Sequence, residues 1–190
     1  SIPHLKEAAG VWLGKTAWPG RGSRLDFVEA SNRLSSRITR WERIDDWGLH
    51  RLMCYIKANL RCGILVQGHP ADMIHLVCRL RVDADHANDT DTAKSTSGGS
   101  TNIEGVLSFL PYTWMARRQT VTSISTADVE TVALRDNPYQ DALHVVGMLQ
   151  QFVQRPVRII GETDSSACQG AIKRGFSRKL AYLRKTLSLI

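Results

Sequence analysis

Four aspartates, Asp83, Asp85, Asp89 and Asp91, fall within nine residues of one another. Carboxylates this crowded repel unless a cation sits among them, so a calcium loop is the first chemistry to test. An EF-hand starting at Asp83 needs glycine at its sixth position and glutamate at its twelfth, where this chain has Asn88 and Lys94. The calcium reading fails. A second arrangement fits better: Asp83 closes an alternating segment, Glu130 lies in the first turns of a predicted helix, and Asp164 follows another predicted strand. Carboxylates from two strand ends and a helix can converge across one edge of a sheet. Such a set suits Mg2+, a hard ion that takes a few carboxylates, water and substrate phosphate. Two such ions ~3.5–4 Å apart can stabilise the attacking and leaving oxygens of phosphodiester hydrolysis. The chain has 18 acids in all, and solvated surface carboxylates account for the same spacing.

The elements that must position these acids can be read from periodicity. Residues 73–83, MIHLVCRLRVD, alternate and read as a strand. A polar Ser/Thr/Gly stretch at 88–102 reads as a loop. Residues 103–110 and 112–119, joined by Pro111, read as two further strands of a meander. Ser125 followed three residues later by Asp128 opens a helix in the manner of a capping box. Pro138 ends that helix and starts another, striped by Ala142, Leu143, Val146, Leu149 and Val153. Residues 157–162 read as a fourth strand, Asp164-Ser165-Ser166 opens a helix through Arg174, and 178–190 reads as one more. Strands interleaved with helices make an α/β domain over 73–190.

Upstream the period is helical. Residues 24–39 place Phe27, Val28, Ser31, Leu34, Ser35 and Ile38 on one face, and 45–60 do the same with Leu49, Leu52, Met53, Ile56 and Leu60. The opposite faces carry Arg33, Arg37, Arg51 and Lys57. Residues 1–70 therefore read as a small helical unit, closed by the turn-rich QGHPAD at 67–72. Packing of Trp41 and Trp47 within that unit accounts for both residues; stacking on nucleic-acid bases is the sharper alternative.

With 190 residues, 43% hydrophobic and 23% charged, the chain can build one domain or two small ones, and its composition argues against wholesale disorder. No apolar run approaches the ~20 residues of a membrane span, so no membrane partner is expected. The N-terminus does not read as a secretory leader, and the absence of an initiator Met points to a piece of a longer polypeptide. Cys54, Cys62, Cys78 and Cys168 stand singly, which argues for reduced, mostly buried thiols over a disulfide or zinc scaffold. The net charge of +7 is uneven: residues 1–70 carry 11 basic and 6 acidic groups, 71–150 carry 6 and 10, and 151–190 carry 8 and 2. An acidic middle between basic flanks suits a nuclease, with carboxylates for metal and cations for phosphate, though uneven surface charge alone produces the same profile.

Three segments carry a resemblance: VDADHANDTDTAKSTSGGS at 82–100, SISTADVETVAL at 123–134 and ETDSSACQGAIKRG at 162–175. In order and spacing they resemble the ribonuclease H domain of copia-type retrotransposon polyproteins, which shows a DADWAG…KSTSG block, then SSTEAEY, then CDNQSA. Upstream, RLDFVEASNRLSSRITRWERIDDWGLHRLMCYIKAN at 24–59 resembles the segment that joins the reverse transcriptase to that domain. The resemblance implies a ribonuclease H-like mixed sheet with flanking helices, preceded by a helical thumb or connection-like segment.

Carried over position by position, it implies that Asp83, Glu130 and Asp164 are the catalytic, metal-binding carboxylates, holding two Mg2+ ions, with Mn2+ as a substitute. Asp85 and Asp128 match further acids of the motifs and are better suited to fixing the turn and capping the helix. Lys94, Arg117, Arg118, Lys173, Arg174, Arg178 and Lys179 are the candidate phosphate contacts, with Ser95 and Thr96 beside Lys94 as loop-forming residues first. The departures are His86 for Trp, Asn88 for Gly, Thr131 for Tyr and Ser165 for Asn. His86, beside Asp85, fits a structural turn or a catalytic base. The family's late H.R.KHID element supplies a fourth acid, whereas Leu183 stands near that position and no Asp or Glu follows Asp164.

The implied activity is hydrolysis of the RNA strand of RNA–DNA hybrids during reverse transcription. The implied partners are the hybrid and the reverse transcriptase domain of the same polyprotein, and the implied location is intracellular, in a cytoplasmic particle or the nucleus. A catalytically decayed nucleic-acid-binding module and a structural domain of the polyprotein are the competing expectations.

Overall fold

The structure, a computed structural model, describes residues 3–85, 95–119, 126–135 and 138–174. Contacts divide the chain into two units, Ser1–Ile64 and Leu65–Ile190.

The first unit is helical: α1 (Lys6–Gly22), α2 (Val28–Ser35) and α3 (Arg43–Ala58), with single 3-10 turns at Leu25–Phe27 and Ile38–Arg40. Its core joins Ala9 and Leu13 to Phe27, Leu34, Trp41, Leu49 and Leu52. Helix α1, which the sequence reading did not assign, buries Ala9, Leu13, Thr16 and Gly20 at helical spacing. Helix α3 crosses α2 closely because Gly48 lies there; a Cβ at that position would meet Leu34 at 2.9 Å. A reciprocal capping box opens α3, in which the Asp45 carboxylate accepts from the Glu42 amide at 2.8 Å. The two tryptophans part company. Trp41 is buried and its indole donates to Asp46 at 2.8 Å, whereas Trp47 is 60% exposed. The packing expectation fails for Trp47 because α3 turns positions 45, 46, 49 and 52 inward, leaving 47 on the outer face.

The second unit is mixed α/β. A four-stranded sheet is built from β1 (Val77–Asp85), β2 (Thr96–Glu104), β3 (Phe109–Arg118) and β4 (Ile159–Glu162), in the order β3-β2-β1-β4. Strand β1 runs antiparallel to β2 and parallel to β4. Among the described residues, helices α4 (Thr126–Arg135), α5 (Pro138–Val153) and α6 (Ser166–Arg174) accompany it. The period-2 alternation of β1 sends Cys78, Leu80, Val82 and Ala84 inward, while Arg79, Arg81 and Asp83 do not join the core. Leu80 and Val82 pack with Ile103, Leu134, Ala142, Val145, Val146 and Val157, and Ala84 packs with Val129 and Ala133.

Three expectations are corrected. The stretch 96–102 is strand, not loop: TSGGSTN has no apolar alternation, and its ladder comes from pairing with β1 on one side and β3 on the other. Pro111 does not join two strands but lies inside β3. It sits opposite Asn102 at a register shift, where an edge strand tolerates a missing donor. The meander turns instead at 105–108, where Gly105 donates to Ser108 O at 3.0 Å. The Asp72 carboxylate accepts there from the amides of Val106 (3.2 Å) and Leu107 (2.7 Å). Finally, residues 65–72 belong with the sheet and not with the helices, because Gln67 and Phe109 exchange backbone hydrogen bonds at 2.9 and 2.8 Å. His69 N adds a bond to Ser108 Oγ at 2.9 Å. Two of the four thiols, Cys54 and Cys62, are exposed, and only Cys78 and Cys168 are buried. No helix among the described residues is long and apolar enough to cross a membrane.

Candidate metal centre

Parallel pairing of β1 and β4 sets the geometry. Arg81 pairs with Glu162, and two residues further along each chain stand Asp83 and Asp164. Helix α4 brings Glu130 to the same end of the sheet. One carboxylate oxygen from each of Asp83, Glu130 and Asp164 lies within 4.8 Å of the others. Asp83 and Asp164 are exposed, while Glu130 is buried, with 2% of its surface accessible.

Glu130 is held at both oxygens. Its Oε1 accepts from the Ala84 amide at 3.1 Å, and its Oε2 accepts from the Thr163 hydroxyl at 3.0 Å. Burial raises its pKa above the usual glutamate value, and the charges of Asp164 and Asp83 push the same way. The two hydrogen bonds favour the ionised form and oppose that rise without cancelling it. The backbone around Glu130 is anchored too: Gln119 Nε2 donates to Val129 O at 2.9 Å and to Ser97 Oγ at 2.8 Å, tying α4 to the sheet. Next to it, the buried Thr131 hydroxyl donates to Cys168 Sγ at 3.4 Å, linking α4 to α6.

The donor set is all carboxylate oxygen, the chemistry that hard divalent ions prefer. Three mutually repelling carboxylates, one of them desolvated, form an arrangement that a cation would relieve. The residues fit Mg2+ or Mn2+.

The other predicted site residues are scattered. Arg118 pairs with Thr96, which pairs with Asp85. This places Arg117 and Arg118 level with the carboxylate end of β1, two strands or about 10 Å away. Arg117 is exposed and Arg118 half-buried. Lys173 and Arg174 are exposed in the last turn of α6. That helix starts two residues after Asp164, so these cations lie about 10 Å along it from its first turn. Thr96 begins β2, and Ser95 is buried with its carbonyl accepting from Gln119 N at 2.8 Å. The expected loop role is replaced by a strand role for Thr96, while Ser95 stays just outside the strand. Lys94, Arg178, Lys179, His86 and Leu183 lie outside the described residues, as do the side chains of Asp85 and Asp128. Sequence reasoning missed Thr163 and Gln119, neither of which carries a charge; the one available signal for Thr163 is its place between a strand end and an acid.

On the sheet surface before Asp83, two arginines and two glutamates close a ring. Arg79 binds Glu104 at 2.7 Å and also Glu162; Arg81 binds Glu162 at 3.0 Å and also Glu104. The ring is electrically balanced, so these arginines are committed to the sheet.

The chain matches no protein-family model, no curated protein and no solved structure.

Proposed function

We propose that residues 65–190 form a ribonuclease H-like nuclease domain of a copia-type retroelement polyprotein, cutting the RNA strand of RNA–DNA hybrids. The helical unit 1–64 is then the thumb or connection-like segment of the attached reverse transcriptase. The observation that carries the reading is the convergence of Asp83, Glu130 and Asp164 from β1, α4 and the β4–α6 turn, with ligand atoms within 4.8 Å. Acids at the motif positions of the family resemblance are the same three. Bound Mg2+ or Mn2+ supplies Lewis-acid polarisation of the scissile phosphate and a more acidic water. The protein's part is to hold three oxygens in place, with Asp83 and Asp164 open to solvent and Glu130 anchored behind them. None of the three acts as a nucleophile. Arg117, Lys173 and Arg174, all exposed, contact phosphates without reading bases, and the 2′-hydroxyl and A-form groove mark the RNA strand.

A second reading has its own observation. Leu183 stands near the position of the family's fourth acid, and on this reading the domain binds hybrid without turnover. Cleavage of a labelled RNA–DNA hybrid by the 190-residue chain in Mg2+ or Mn2+ separates the two. The nuclease reading expects metal-dependent cutting that Asp83→Asn abolishes. Hybrid binding that weakens with salt, at a slope of about −0.9 per phosphate contact, with no cutting in either metal, would establish the binding module instead.

A further inference from the structure

Glu130 is the hub of the carboxylate site. One of its oxygens is bonded to the residue after Asp83, through the Ala84 amide, and the other to the residue before Asp164, through the Thr163 hydroxyl. The second of these bonds is set by a third group. Thr163 Oγ1 also accepts from the Ser165 amide at 3.2 Å. A hydroxyl has one proton and two acceptor lone pairs. The Ser165 amide can only donate and so takes a lone pair, which leaves the single hydroxyl proton for Glu130. The β-branched side chain further restricts the hydroxyl to few rotamers. Thr163 thus orients the Glu130 carboxylate plane and pins the turn that carries Asp164, from one atom.

We infer that Thr163 is the positioning residue of this site, fixing Glu130 and Asp164 relative to each other so that their remaining lone pairs are arranged for a divalent cation before one binds. The inference rests on the metal-centre reading above. Groups behind the ligands of a metal site set ligand orientation, and their loss costs metal affinity while leaving the ligands themselves in place. Thr163 touches neither substrate nor ion in this arrangement; it acts through Glu130 and the Asp164 turn.

The test is calorimetric titration of the full 190-residue chain with MnCl2, together with electron paramagnetic resonance of the bound Mn2+ and thermal melts without metal. Thr163→Ser keeps the hydroxyl and is expected to bind Mn2+ as the parent does, with the same spectrum. Thr163→Val keeps the shape without the hydroxyl, and Thr163→Ala deletes it without bulk should the valine variant fail to fold. Each is expected to bind about tenfold more weakly, with an altered Mn2+ spectrum. A merely structural threonine would lower the melting temperature and leave affinity and spectrum alone. The inference is overturned if a folded hydroxyl-less variant binds within twofold of the parent, or if Thr163→Ser loses as much affinity as Thr163→Ala. A parent chain that binds no Mn2+ at all overturns the metal centre itself, which the titration of the parent distinguishes from failure of Thr163 alone.

Discussion

The Glu130 carboxylate accepts a hydrogen bond from the Ala84 backbone amide at 3.1 Å, so helix α4 is fastened to strand β1 one residue beyond Asp83. The fastening is polar and buried, and it places a carboxylate where desolvation penalises its charge. Folding alone has no use for that charge.

Glu130→Gln separates folding from ion binding. The amide keeps the size of the side chain and an acceptor for Ala84, and it removes the charge that repels Asp83 and Asp164. Without metal at neutral pH the variant is expected to melt no lower than the parent. The parent should gain melting temperature on adding millimolar MnCl2, and the variant should not. Thermal melts with and without MnCl2 check both statements.

The raised pKa of Glu130 has a defined pH signature. Because the folded state holds this proton more tightly than the unfolded chain, the associated stability is full below the ordinary glutamate value and is lost as pH rises through the raised one. Urea unfolding of the metal-free chain at a series of pH values should show this decline. Glu130→Gln should flatten it, and an unchanged profile in that variant would assign the decline to another group. Asp72 works in the opposite sense. Burial pushes its carboxyl up, but bonds from Ser108, Leu107 and Val106 outweigh burial and hold it below the usual range. Its share of stability is lost as pH falls through the carboxylate range.

Gly105→Ala should destabilise the sheet unit. A Cβ there would stand 2.5 Å from the Asp72 carboxylate, the group that accepts from Val106 and Leu107 and shapes the β2–β3 turn. Overpacking of this kind costs about 1–3 kcal/mol. Chemical denaturation measures the loss, and combining it with Asp72→Ala should give less than the sum of the two.

Within the arginine–glutamate ring, the two glutamates should differ. The Glu104 side chain is 14% exposed and that of Glu162 43%. Glu104→Gln leaves two arginines without their more buried partner and should cost about 1–3 kcal/mol, whereas Glu162→Gln should cost under about 1 kcal/mol and fade in high salt. Equal losses in urea unfolding would rule out burial as the deciding factor.

Much of this architecture was legible because periodicity is a local signal. Strand β1 announces itself in Cys78, Leu80, Val82 and Ala84 alternating with Arg79, Arg81 and Asp83, and α5 in its apolar stripe. Helix α1 was not legible, since its buried face is Ala9, Leu13, Thr16 and Gly20 while Trp12 and Trp18 point out at 48% and 84% exposure. Small residues bury well and read as nothing in particular. Strand β2 failed for a different reason: TSGGSTN becomes a strand through partners on both sides, and that information lies elsewhere in the chain. At the site, spacing alone left the three acids level with ordinary surface carboxylates among 18 in the chain, and the motif resemblance singled them out. Thr163 could not be found, because a hydroxyl gains its meaning only from the two groups it joins.

Among the described residues the sheet ends on one side in β4, four residues long, and on the other in β3, which carries Pro111 at a break in its register. Neither margin offers a long flat ladder of backbone donors on which a stray strand from a neighbouring chain could crystallise. Identical copies crowded together therefore meet blunt margins. The proline that looked like a connector in the sequence removes a backbone donor from an edge strand, and its replacement by valine should be felt first as precipitation at high concentration, before any loss of fold.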